Sequence, residues 1–195
     1  MTTRFASSAM PPIAPIITLL FLPALIGIGR QVIWGNAWSY KLLALGLVLL
    51  CIEQTYMAIV DLQQISEVKQ QVQDEQLRRF FWVTVSTIAL ELTGFYLAMR
   101  SLGWGAVLVL VSLVWFNALA TIKLQPSNPE PIQQRKFLER LPVLIADVVG
   151  LMLVALWIAK IGPLWAASIL LGMLLHYGLL KYALPILNRQ SVEVQ

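Results

Sequence analysis

Residues 83–117 read VTVSTIALELTGFYLAMRSLGWGAVLVLVSLVWFN. Two apolar runs flank the polar break Arg100-Ser101-Leu102-Gly103. Each run is close to the roughly 20 residues needed to cross about 30 Å of hydrocarbon. Long apolar runs joined by a short glycine-containing turn predict a transmembrane helical hairpin. Glu91 stands near the middle of the first run. An ionisable side chain at bilayer depth is costly, and is normally paired, in contact with water, or functional.

The pattern extends in both directions from this hairpin. The chain is 58% hydrophobic and only 12% charged, with a mean hydropathy of +0.75. Soluble domains carry about twice that share of charge, so an all-α polytopic membrane protein is expected. The apolar runs predict six helices, at 13–29, 42–62, 82–100, 103–123, 141–160 and 164–186, arranged as three hairpins in a single domain spanning 1–195. Lys160-Ile161-Gly162-Pro163 joins the last pair, with glycine ending one helix and proline opening the next. The first run follows Arg4 and is interrupted by Pro15 and Pro23. It reads as a retained helix kinked at Pro23; a cleaved leader or a re-entrant segment are the alternatives.

Long polar connections occur at 63–80 and 124–140. The second contains Pro126, Pro129 and Pro131 and reads as a loop. In the first, Leu62, Ile65, Val68 and Val72 recur at helical spacing, which predicts a helical extension of the second span or a helix at the interface. Its glutamines also suit a docking surface.

Six spans place both termini and both long connections on one side. That side holds ten basic residues: Arg4, Lys69, Arg78, Arg79, Lys123, Arg135, Lys136, Arg140, Lys181 and Arg189. The other holds four: Arg30, Lys41, Arg100 and Lys160. The excess of positive charge predicts cytoplasmic termini. Trp34, Trp38, Trp104, Trp157 and Trp165 then form an outer aromatic belt, with Trp82 at the inner interface. The expected location is a bacterial inner membrane, or an organellar membrane of bacterial origin. Basic residues scattered at helix ends do not suggest nucleic-acid binding. Cys51 is the only cysteine and has no intrachain disulfide partner.

The second and third hairpins echo each other. Glu91-x-x-Gly94 recurs 56 positions on as Asp147-x-x-Gly150, and Gly103 and Asn117 recur 59 positions on as Gly162 and His176. The Glu91-x-x-Gly94 hairpin resembles the DoxX-like membrane proteins; the motif is short and implies no particular activity. Counting the helical rise places Glu53, Glu91, Asn117, Asp147 and His176 in one layer roughly 6 Å thick. Thr84, Thr87, Glu91, Gly94 and Ala98 share one helix face, as do Ser168, Gly172 and His176. Small residues allow close helix approach, so both faces are expected to point inward. Asp61 lies two turns from Glu53 toward the inner side, while Lys160 and Lys181, near span ends, read as snorkelling anchors.

Carboxylates with an imidazole and an amide can exchange protons, or bind a cation or an amine. They can equally serve as interhelical hydrogen bonds that fix helix register. No Glu-x-x-His pair, His-Glu-x-x-His motif, nucleophile elbow or phosphate-binding glycine loop is present, and no cofactor or metal is specified. The expected function is binding of a small solute, ion or proton at this layer, as a transporter or substrate-capture subunit. A non-catalytic accessory subunit of a larger membrane complex is the alternative. An enzyme acting on a lipid-like substrate has the least support. The expected partners are the lipid bilayer, a small-molecule or cation ligand, and other membrane subunits.

Overall fold

The computed structural model describes residues 13–72, 74–126 and 130–183. Six helices account for most of this chain: α1 (Ile13–Trp34), α2 (Trp38–Gln71), α3 (Glu75–Ala98), α4 (Leu102–Leu119), α5 (Phe137–Ile158) and α6 (Pro163–Gly178). All six are long and apolar enough to cross a membrane, the sixth when its continuation to Tyr182 is included. The chain is a membrane-type helical bundle.

The helices pack as a closed circuit. In each hairpin the two helices touch; α1 and α4 also pack on α3, α5 packs on α4, and α6 returns to α2. The apolar core between them includes Phe21, Ile28, Leu43, Leu47, Phe95, Val109 and Val154. Phe21 and Phe95 meet edge to face at 5.9 Å, tying α1 to α3. α1 is one continuous helix containing Pro23, with Ile17, Phe21, Ala24 and Ile28 buried. It is thus a full bundle member rather than a short re-entrant piece.

Several boundaries differ from expectation, each for a local reason. α2 runs unbroken for 34 residues to Gln71, so the first polar connection is largely helix. Its length of about 51 Å exceeds the hydrocarbon thickness and carries it beyond the bilayer. Asp74 then caps α3, accepting a hydrogen bond from the Gln76 amide at 2.9 Å. α4 ends at Leu119 rather than 123, and the second connection is not wholly loop. Ile122–Leu124 (β1) and Ile132–Gln134 (β2) pair antiparallel, with Ile122 opposite Gln134. This ribbon covers a second apolar cluster in which Ile65 and Val68 of α2 meet Leu77, Phe80, Val83, Ile122 and Leu124. The stripe on the α2 extension is therefore buried against protein. The end of the bundle carrying this cluster is called here the ribbon end.

At the other end, Lys160 and Gly162 both adopt positive φ, 60° and 55°, in the tight turn before Pro163. Trp34, Trp38, Trp104 and Trp165 are exposed, as an aromatic belt requires. Trp157 is not part of that belt: it is buried against Tyr40, with ring centroids 4.7 Å apart. Past Gly178 the last helix widens into a π-helical turn, Leu179–Ala183. The remainder of the predicted sixth span, and the termini with Arg4 and Arg189, lie outside the described residues.

Helix α4 is held closest of all. A Cβ placed on Gly105 would lie 2.4 Å from backbone atoms of Ala98, and one on Gly94 would lie 2.9 Å from the Val109 amide nitrogen. By contrast, a Cβ on Gly172 would meet nothing within 4 Å. Gly105→Ala should therefore cost about 1–3 kcal/mol by forcing α3 and α4 apart. Gly172→Ala should be neutral or slightly stabilising through helix propensity. Thermal unfolding of both variants in the same detergent checks this; equal melting temperatures would refute the close approach.

Candidate functional site

Asp147 and Asn117 meet where α5 crosses α4, the Asn117 Nδ2 donating to Asp147 Oδ2 at 2.8 Å. Gly150, one turn beyond Asp147, faces Leu110 of α4, where a Cβ would make an ordinary contact at 3.4 Å. Two turns before Asp147, Arg140 points to the same end of α4. Its Nη1 lies within 3.0–3.2 Å of the carbonyl oxygens of Asn117, Ala118 and Ala120. These are the last carbonyls of α4, which have no intrahelical donor. A guanidinium there supplies hydrogen bonds and complements the negative end of the helix dipole. Arg140 is only 6% exposed, so it is a structural clamp rather than an interfacial anchor.

Glu53 is joined to the far end of the chain. Lys181, on the π-helical turn, donates to Glu53 Oε1 at 2.9 Å. The lysine also lies 5.4 Å from the Tyr177 ring centre and 5.3 Å from that of Tyr182. Lys181 is thus the counter-ion of Glu53, contrary to its reading as a snorkelling anchor. Asp61, two turns further along α2, is half-buried and feels the fields of Lys181 and of Arg135 on the ribbon.

Glu91 differs from the other carboxylates. It is 2% exposed, and among the described residues it has neither a hydrogen bond nor an ion pair. The charged group whose field reaches it is another carboxylate, Asp61. Its helix face points inward as expected: Thr84, Thr87, Glu91, Gly94 and Ala98 are all buried. The Thr87 hydroxyl is satisfied by the Val83 carbonyl at 2.8 Å. The Thr84 hydroxyl, two turns from Glu91 on that face, is buried without a partner. The antiparallel contact of Gly94 with Val109 brings the buried Ser112 of α4 to the level of Glu91.

His176 lies elsewhere. Ser168, Gly172 and His176 are all exposed, on the outer face of α6, while Ala166, Ala167 and Leu170 face the bundle. The inward orientation expected for that face is not what the structure shows. The echo between hairpins is correspondingly partial. Gly94 and Gly150 both face α4, but only Gly94 is at a separation that excludes a Cβ; Gly103, in α4, packs against Ile158, whereas Gly162 is a left-handed turn residue. Asn117 has a partner in the core, and His176 faces outward.

The five residues of the predicted layer thus divide into a satisfied amide–carboxylate pair, one member of an ion pair, an unpartnered carboxylate and an outward imidazole. Among the described residues, no three His, Cys, Asp or Glu side chains gather closely enough to hold a metal ion. What the arrangement offers chemically is a buried carboxylate at Glu91 without a donor among the described residues, with Asp61 and the Glu53–Lys181 pair on α2.

Removing one partner of a buried ion pair is worse than removing both. Lys181→Met should lower stability by about 1–3 kcal/mol, below the range for fully buried pairs because Lys181 is partly exposed. Adding Glu53→Gln to Lys181→Met should restore much of that loss. A double-mutant cycle read by thermal unfolding tests the coupling; strictly additive effects would show that the pair contributes nothing.

No protein-family model, curated protein or solved structure matches this chain.

Proposed function

We propose that this protein is a membrane transport component in which Glu91 takes up and releases a proton, or a small cation in its place, during the working cycle. The observation that carries this reading is the burial of the Glu91 carboxyl with no compensating donor among the described residues. An anion in such a place is too costly to persist alone, so a proton or cation must accompany it. The other carboxylates buried or half-buried at bundle contacts, Glu53 and Asp147, have donors in Lys181 and Asn117; the unpartnered atoms of Thr84, Arg140 and Trp157 carry no negative charge to neutralise. Asp61 offers the next carboxylate toward the ribbon end, where the half-buried Arg135 and Lys181 lie within its electrostatic reach. In this reading the ribbon end and both termini face the cytoplasm of a bacterial-type inner membrane, on the strength of the basic-residue excess.

A second reading, as an accessory subunit of a larger membrane assembly, is favoured by the outer face of α6. Ser168, Gly172 and His176 are exposed there at bilayer depth. Small and hydrogen-bonding residues on a membrane helix suit contact with another helix better than contact with lipid.

Two measurements test the first reading. Infrared difference spectra of the reconstituted protein across a pH change should contain a carboxylic-acid carbonyl band that is missing in Glu91→Gln, with the variant still folded. Proton flux in proteoliposomes should fall at least about tenfold in the same variant, the size expected for loss of a proton-transfer group. A variant with wild-type spectrum and flux would sink the proposal. For orientation, cysteines placed at Ser101 and Glu130 in a Cys51→Ser background should react with an impermeant reagent from opposite sides. Labelling of both from one side would refute the six-span arrangement.

A further inference from the structure

The ribbon end contains a cavity that the proton-binding proposal does not use. It has a volume of about 380 Å³ and opens between the start of α3, the end of α4 and the two-stranded ribbon. Its polar wall consists of Arg79, Arg135, Gln76, Gln134 and Thr121. Phe80, Leu119 and Ile122 form an apolar wall. We propose that this cavity binds a phosphate-bearing anion, the headgroup phosphodiester of an anionic phospholipid.

Charge comes first. Two arginines line the cavity and no acidic residue does. The acids nearest in sequence are already engaged: Asp74 caps α3, and Glu75 is paired with Arg78 at 2.6 Å. Arg79 is exposed and has no hydrogen bond or ion pair among the described residues. Arg135 is half-buried, held in place because its backbone amide donates to the Thr121 carbonyl at 2.8 Å. Asp61 offsets part of the Arg135 charge from the bundle side and leaves that of Arg79 untouched. Guanidinium groups bind phosphate oxygens through paired N–H donors, which ammonium groups cannot reproduce. The two glutamines and Thr121 supply neutral donors for the remaining oxygens.

Position favours a lipid over a soluble phosphate. Arg79 also borders a neighbouring groove of about 470 Å³ that reaches Trp82. Trp82 is exposed, as befits an indole at the headgroup level. The polar wall therefore lies at the boundary where α3 enters the apolar layer, with Phe80 and Leu119 beside it to receive the first carbons of a glycerol or acyl chain. Basic pockets between helices at this depth suit anionic headgroups. The volume holds a headgroup and not a whole lipid, so the chains would lie along the outside of the bundle.

The test uses the full-length protein, delipidated in mild detergent, with phosphatidylglycerol, phosphatidylcholine or inorganic phosphate added separately. Native mass spectra and thermal unfolding are the readouts. Phosphatidylglycerol should give a retained one-to-one adduct and raise the melting temperature, whereas phosphatidylcholine and inorganic phosphate should do neither. Arg79→Gln with Arg135→Gln should weaken the adduct about tenfold or more, as loss of paired phosphate contacts implies. Arg30→Gln with Arg100→Gln, which removes equal charge at the opposite end, should leave it intact. Should the glutamine pair fail to unfold cooperatively, Arg79→Lys with Arg135→Lys keeps the charge while losing the fork, and should still weaken the adduct. Retention of the adduct by a folded cavity variant, equal retention of phosphatidylcholine, or equal protection by inorganic phosphate would each overturn the assignment.

Discussion

The end of α4 is the point on which the arrangement of this bundle depends. A helix that stops near an apolar layer leaves carbonyl oxygens with no donor, and unsatisfied backbone groups in hydrocarbon cost several kcal/mol each. Arg140 meets three of them from α5. Asn117 is bound twice to the same helix, its carbonyl by Arg140 and its side chain by Asp147. Those two contacts set the register of α5 on α4 over two turns. On its other side α4 is fixed by the backbone approach of Gly105 to Ala98. The chain can then leave α4 at Leu119 and form the ribbon, because the last turn needs no further residues to complete it.

With that frame in place, the buried polar groups fall into two kinds. Those whose partners lie within reach are structural: the Asn117–Asp147 hydrogen bond, the Glu53–Lys181 ion pair, and hydroxyls returned to their own helix carbonyls. Each such interhelical bond contributes only about 0.6–2 kcal/mol, enough to select one packing among several. Glu91 is of the other kind. Its burial is costly and brings no compensating bond among the described residues, and ionisable residues kept at such expense in a membrane helix are characteristically functional.

Much of this was legible in the residues and some was not, for identifiable reasons. Run length and apolarity locate all six helices, because hydrocarbon thickness imposes a minimum that no other constraint relaxes. The inward face of α3 follows from Glu91 standing in line with Thr84, Thr87, Gly94 and Ala98; Ser86, Ala89 and Thr93 form a second strip of small residues, but one with no ionisable group on it. On α6 the same reasoning fails because both faces carry small residues, Ala166 and Ala167 opposing Ser168 and Gly172. Periodicity then tells which residues share a face without telling which face is buried. Lys181 was equally ambiguous: near a span end a lysine can reach water or pair inward, and its partner lies 128 positions away. Arg140 enters a charge count like any interfacial cation, and only the position of the α4 terminus reveals its role. The ribbon is not legible in the sequence because three-residue strands bounded by prolines offer too little alternation to read.

The unbroken length of α2 has a mechanical consequence. Glu53, Asp61, Ile65 and Val68 stand on one rod, so the buried ion pair and the apolar cluster under the ribbon cannot move independently. Helices of this kind bend only gently in the absence of proline, and α2 contains none. Pivoting at the level of Glu53 by about 5° would carry Gln71 sideways by about 2 Å, from a lever of 1.5 Å per residue. That is enough to alter contacts under the ribbon while the pivot itself hardly shifts. A small displacement deep in the bundle is therefore delivered, enlarged, to the surface where the chain meets whatever lies outside the membrane.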